Sequence, residues 1–231
     1  MYENCTLFDT GDGDMHNADD FLNQFLKKRS PLYHITRLRN LPGLRKQNTL
    51  FSINYVKDHF NETVPTQRFN LKQSEIHIKI GGDFSYTPNF QIKVKGADAN
   101  FYNRLDSFVF LWNNGSYYKR MLERCVKEYT VAVLEIDPKK FIEKTDHAKI
   151  YVSRVNSGSN PRTRVKNKTP NIFIPINQIC SNNPLSPKNI QDIKEILIED
   201  KLENLESLVN TVYLYQENRT DIFEETPFKN A

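Results

Sequence analysis

Cysteine is scarce in this chain of 231 residues: Cys5, Cys125 and Cys180 stand far apart and share no metal-like spacing. That argues against a disulfide framework, and the histidines at 16, 34, 59, 77 and 147 are too scattered to supply a zinc site. Glycine is sparse as well, and none opens a phosphate loop. Gly81-Gly82 reads as a hairpin turn without the strand-to-helix setting of a dinucleotide fingerprint. No apolar run approaches the roughly twenty residues of a membrane span. The first residues are acidic, where a secretion signal would be basic and then apolar. A reduced, cytoplasmic protein with no metal and no membrane partner is expected. Gly11-Asp12-Gly13-Asp14 lacks the glutamate that closes a calcium loop. Internal repeats and low-complexity tracts are missing too.

Acidic residues are missing from one long stretch. Between His147 and Gln191 there is none, while Lys149, Arg154, Arg162, Arg164, Lys166, Lys168 and Lys188 lie inside it. From Asp192 onward there are ten acids and four bases. The net charge of +4 decides little, but this segregation makes one face attractive to a polyanion. A solvated loop is the alternative reading of the same residues.

What is present suits one globular domain with room for a core: 12% of residues are aromatic. The expected organisation is a lead-in and helix over 1–30, a domain over 31–215 and an acidic tail over 216–231. Phe21, Leu22, Phe25 and Leu26 mark a helix starting near Asn17 and ending at Lys27-Lys28-Arg29. Residues 54–74 read as polar and irregular. Ile76 to Ile80 and Phe90 to Val94 alternate about the Gly81-Gly82-Asp83 turn, predicting a long-tipped hairpin. Phe108 to Trp112 is a continuous apolar run, fit for a strand buried on both faces. Ser116 opens a helix with Met121, Leu122, Cys125, Val126 and Tyr129 on one stripe, so Cys125 is core. Strands are expected again over 130–136, 149–155 and 171–176, where Pro175 suggests a sheet edge. The fold class is α+β, with short strands and few helices.

Two stretches carry the chemistry. The first is Leu32-Tyr33-His34-Ile35-Thr36, a strand pattern that takes a histidine and a threonine into an apolar setting. Arg37 to Pro42 follows, with Asn40 able to cap a helix, and then Leu50-Phe51-Ser52. A satisfied core histidine is the plain reading of His34 alone. The second is Asp192-Ile193-Lys194-Glu195-Ile196-Leu197-Ile198. Read as a strand, it points Glu195 where Ile193 and Leu197 point; Ile190, Ile193 and Leu197 also fit a helical stripe that leaves Glu195 on the surface.

The first string resembles the opening motif of the ADP-ribosyltransferase superfamily, most closely the DarT type of nucleic-acid-modifying toxin. The second resembles that superfamily's late glutamate strand. The resemblance implies a split mixed sheet and NAD as co-substrate, with His34 and Thr36 at its adenosine end and Asn40 and Ser52 nearby. It implies an aromatic on a middle strand against the nicotinamide, a place that Phe110 occupies without the usual tyrosine hydroxyl; a plain core role fits Phe110 equally. It implies Glu195 as the catalytic carboxylate. An arginine at the phosphates and reacting centre would be Arg68, with Arg154 its rival. The acid-free stretch then lies where substrate-recognition loops fall, so Arg162, Arg164, Lys166 and Lys168 would meet nucleic acid phosphates, with Trp112, Tyr117 or Tyr118 stacking a base. The acceptor expected is a base of single-stranded DNA or RNA, and the setting a bacterial or anti-phage toxin held by an antitoxin. The competing readings are a protein ADP-ribosyltransferase or NAD glycohydrolase, and a non-catalytic nucleic-acid-binding relative.

Overall fold

The computed structural model describes residues 15–28, 30–59, 78–80, 84–86, 99–113, 116–155, 157 and 169–229. Helix α1 (Ala18–Lys28) is started by Asn17, whose side-chain oxygen accepts from the Asp20 N–H at 3.0 Å. Asp19 and Asp20 in its first turn and Lys27 and Lys28 in its last complement the helix dipole. Strand β1 (Leu32–Arg37) follows, then a 3-10 turn at 38–40 and α2 (Leu41–Gln47). Asn48 ends α2 in the left-handed region, at φ 53°, and delivers the chain to β2 (Thr49–Phe51). Two helices stand where the sequence pattern suggests none, α3 (Ile53–His59) and α4 (Ala99–Asp106). The short apolar stripe of α4, Phe101 and Leu105, is two residues one turn apart, too brief to register as a period.

Where the hairpin is expected, β3 (Ile78–Ile80) pairs antiparallel with β4 (Phe84–Tyr86). Residues 90–94 lie outside those described. Next come β5 (Phe108–Asn113), α5 (Ser116–Val126), β6 (Val131–Ile136) and α6 (Pro138–Lys144). Asp137 caps α6 by accepting from the Lys139 and Lys140 N–H groups, both at 2.9 Å. The chain finishes through β7 (Ile150–Ser153), β8 (Ile174–Pro175), β9 (Glu195–Glu199), β10 (Lys201–Glu203), α7 (Leu205–Leu208), β11 (Val209–Tyr215) and β12 (Glu224–Thr226).

Eight strands form one sheet in the order β12-β11-β6-β1-β5-β9-β7-β8, and β10 pairs with β2 beside it. The α+β class holds, with a correction. Every ladder among the described residues is antiparallel, where a mixed sheet was expected. The helical crossovers link strands that are not neighbours, so none closes the strand-helix-strand unit that a parallel pair needs. Pro175 does sit on an edge strand, β8.

The centre of the sheet holds a short seam. β1 pairs with β6 over six residue pairs and β5 with β9 over four, but β1 and β5 share only Leu32↔Asn113 and Tyr33↔Trp112. The sheet is therefore two halves joined at one end. Directly paired residues share a face, which sorts the core. One face carries Leu32, Leu111, Leu134, Ile150, Val152, Ile196, Ile198 and Val212, covered by Phe21 and Phe25 of α1, Leu41 and Leu44 of α2, and Phe141 of α6. The other face bears two smaller cores, one under each half. Tyr33, Ile35, Trp112 and Val133 meet Tyr118, Leu122 and Cys125 of α5; Phe108 and Leu197 meet Phe101, Ile172 and Phe173.

The two ends of the chain join this core more closely than a lead-in and a tail would. Met15 is buried beside α1 in the main core. In the segment expected as a tail, β12 extends the sheet and Phe228 is 3% exposed in the same core. Removing that ring leaves a cavity, so Phe228→Ala is expected to cost about 3 kcal/mol in urea unfolding, against less than about 0.5 kcal/mol for an exposed neighbour such as Lys229→Ala.

Candidate active site

Alternation along β1 sends Leu32, His34 and Thr36 to the main-core face and Tyr33, Ile35 and Arg37 to the other. Because the β1–β5 ladder stops after Tyr33↔Trp112, the carbonyl of Phe110 finds no strand partner on that side. His34 supplies one: its Nδ1 lies 2.9 Å from Phe110 O. A carbonyl oxygen only accepts, so Nδ1 carries the proton and Nε2 is the ring's accepting nitrogen. Burial pushes the His34 pKa down to about 4, against the smaller upward pull of that hydrogen bond. The ring is neutral at physiological pH and held in one tautomer. The seam between the halves is thus closed by a side chain instead of a ladder.

Thr36 is buried, and its Oγ1 accepts from Asn40 Nδ2 at 3.0 Å. Asn40 precedes α2 without capping it, because its amide turns back to Thr36. Of the roles open to Asn40, capping a helix, bonding the cofactor or bracing the loop, its contacts exclude the cap and show the amide held on Thr36. Ser52 is spent differently from the cofactor role the resemblance implies. Its Oγ accepts from the Tyr55 N–H at 3.1 Å and so caps α3.

Phe110 sits on the opposite face, half-buried between the two outer cores and packed against both. Its ring stacks at 6.3 Å on Trp112. Tyr118 and Trp112, expected as possible base-stacking rings, are buried instead; Tyr118 lies 4.4 Å from Tyr33, nearly parallel to it. They are core, leaving Phe110 as the ring on the gap between the halves.

Glu195 opens β9, so 195–199 is a strand and not a helix. It pairs with Ser153 and shares the face of Leu197 and Phe110. One register step beyond Leu111↔Ile196, it comes opposite Trp112. The carboxylate is 1% exposed and accepts from the Ser157 N–H at 3.1 Å to each oxygen and from Ser157 Oγ at 3.1 Å. An ionised carboxylate so enclosed depends on such donors, since desolvating a charge is costly. Ser153 shapes the turn that delivers Ser157, its Oγ donating to Val155 O at 2.9 Å.

The residues expected to share one pocket are thus divided. His34 and Thr36 lie on the main-core face and Glu195 and Phe110 on the other, with β5 standing between β1 and β9. Arg154 does not join them. Its Nη1 donates to Pro184 O at 3.1 Å and Ser186 O at 3.2 Å, and Nη2 lies 3.8 Å from Asp192. It pins the 184–192 segment, so the catalytic role is not what its contacts serve. Arg68, Arg162, Arg164, Lys166 and Lys168 lie outside the described residues, as does the side chain of Tyr117.

Two groups on the Glu195 face carried no sequence signal. Ser157 had none because a serine in a turn is unremarkable until its acceptor is known. Arg104 of α4 pairs with Glu199, 95 residues away, and lies 4.5 Å over Phe108 and 4.7 Å over Tyr151. Tyr151 donates its hydroxyl to the other Glu199 oxygen at 3.1 Å. No spacing rule links residues so distant in the chain.

The neutral His34 makes a prediction with a definite sign. The unfolded chain takes a proton near pH 6.5 and the folded one only near pH 4. Stability from this group is therefore full above pH 6.5 and lost as pH falls through 4. His34→Asn, which keeps a donor near the Nδ1 position, is expected to flatten that part of the stability–pH curve. The Cε1–H resonance of His34 should titrate near 4; a midpoint near 6.5 would place the ring in open solvent.

No curated protein matches the chain in sequence. Among the described residues no helix is long and apolar enough to cross a membrane. The model of a family of unknown function, DUF7002, matches residues 30–209, from just before β1 into the start of β11. That span takes in His34, Thr36, Phe110 and Glu195, and by it the chain belongs to the DUF7002 family.

Proposed function

We propose that the protein is an NAD-dependent ADP-ribosyltransferase acting on a base of single-stranded DNA or RNA. One observation carries this reading. The three stretches that the superfamily resemblance picks out, 32–37, 108–113 and 195–199, are far apart in the chain yet form three adjacent strands at the centre of the sheet. The sheet opens between the first two of them. Nothing in the spacing of the three stretches requires that adjacency.

The residues present suit NAD at that opening. A neutral His34 with an accepting Nε2 would take a ribose hydroxyl, and Thr36, whose oxygen already accepts from Asn40, has its own proton to give. Phe110 offers a ring face to the nicotinamide. In the reaction the bond between the ribose anomeric carbon and nicotinamide breaks, and nicotinamide leaves as a neutral base. A ring or exocyclic nitrogen of the acceptor base bonds to that carbon, and its proton passes to a carboxylate. Of the two carboxylates on this face of β9, Glu199 is taken up by Arg104 and Tyr151, which leaves Glu195, whose negative charge would favour the positive charge developing on the ribose. The Ser157 donors would hold it in one orientation throughout.

A non-catalytic, nucleic-acid-binding relative is the second reading, and the enclosure of Glu195 by Ser157 favours it. A structural acid needs such a cage, whereas a catalytic one must release a face to substrate. Labelled NAD separates the two. With single-stranded DNA and total RNA present, label is expected on nucleic acid, and Glu195→Gln is expected to lower the rate by about 10²–10⁴-fold with NAD affinity kept. Label on protein or free ADP-ribose would move the acceptor to protein or water. Intact NAD with salt-dependent nucleic acid binding would establish the second reading. A transferase of this kind would arrest its host unless held by an antitoxin, and induced expression of the wild type against Glu195→Gln reads that directly.

A further inference from the structure

Strand β12 forms one edge of the eight-stranded sheet, and its outer side has no partner among the described residues. Immediately before it stand Ile222 and Phe223, the large hydrophobic side chains most open to water among the described residues, 43% and 40% exposed. They are not on a loose loop. The Phe223 N–H donates to Leu214 O at 3.0 Å, Arg45 donates to Pro227 O at 2.8 Å, and Phe228 is buried just beyond. An apolar pair is thus displayed on a pinned strand.

The exposed charge over residues 217–225 is mostly acidic. Glu217, Asp221, Glu224 and Glu225 are all exposed, against Arg219 alone. Glu225 pairs across the ladder with Tyr213 and so shares its face, and Tyr213 is half-buried. The Tyr213 hydroxyl donates to Glu135 Oε2 at 2.9 Å and Tyr33 donates to the same oxygen at 3.4 Å, so Oε1 accepts from no described residue. An aromatic ring flanked by two carboxylates, one with an acceptor to spare, is a seat for a cationic side chain.

An unpaired edge invites another strand, and proteins protect edges with proline or charge. At the far edge of this sheet β8 carries Pro175; at β12 the protection is acidic. Like charges repel a second copy of the same edge and attract a segment of opposite charge. We propose that the β12 edge is a docking site for an extended, basic segment of a partner protein. The segment pairs with Glu224–Thr226 as an added strand, covers Ile222 and Phe223 with its apolar side chains, and sets a lysine or arginine on Tyr213 between Glu135 and Glu225.

The probe is a synthetic peptide of alternating valine and lysine, its binding to the full chain read by fluorescence anisotropy. The controls are the same peptide with glutamate for lysine and two versions N-methylated on alternate residues. The basic peptide is expected to bind and to weaken with added salt, and the acidic one to fail. One N-methylated version is expected to lose binding, because a strand pairs along one edge only. Phe223→Ser and Glu225→Lys are each expected to weaken binding about tenfold while unfolding as the wild type does. Equal binding of acidic and basic peptides, indifference to both substitutions, or a dimer of the chain that Phe223→Ser dissolves would overturn the assignment. β12 stands five strands from β9, so these outcomes are separate from those for Glu195.

Discussion

Two residue pairs, Leu32↔Asn113 and Tyr33↔Trp112, are all that bind the halves of the central sheet by backbone. Each half is a strong antiparallel unit in itself, so the seam between them sets where backbone groups go unanswered. A buried carbonyl without a donor costs roughly 1–3 kcal/mol, and at Phe110 the donor is His34. That one hydrogen bond selects the Nδ1–H tautomer, and burial keeps the ring neutral.

The same division governs the outer face. A continuous sheet would support one continuous layer, but here α5 covers one half, while α4 and the 170–173 turn cover the other. Phe110 is the ring common to both layers. Polar groups on this face are bound in two ways. On the α5 side, Tyr33 and Tyr213 share Glu135, and burial together with that carboxylate pushes both phenols up to about 12, so both remain donors. On the α4 side, Arg104 and Tyr151 share Glu199. Glu195 differs from both carboxylates in being fully enclosed and fed by a backbone N–H, which fixes its position more firmly than a mobile side chain does.

The strands were legible where hydrophobic pattern alone determines them. β1, β5 and β6 stand where alternation or apolar runs put them, and Asn48 ends one helix and Asp137 begins another as their types suggest. For Glu195 strand and helix fitted the local pattern about equally. The strand prevails because β5 and β7 pair with both of its edges, and neither neighbour is visible within that stretch. What stayed hidden depended on distant partners. Ser52 looked like a ligand residue and caps a helix; Arg154 looked catalytic and holds a loop 30 residues on. Alternation along β1 and β9 was readable strand by strand. That His34 and Glu195 fall on opposite faces followed only once the register through β5 was known.

That opposition limits what the opening between β1 and β5 can serve. A ligand touching both His34 and Glu195 must pass from one face of the sheet to the other. A single nucleoside with its phosphate is too compact to present one group to each side. On the proposed reading a dinucleotide would be long enough, its adenosine end toward His34 and Thr36 and its other ribose toward Phe110 and Glu195. On the catalytic reading, the weakness of the seam is therefore a requirement. On that reading a complete β1–β5 ladder, though it would improve the sheet, would leave no place for one ligand to reach both His34 and Glu195.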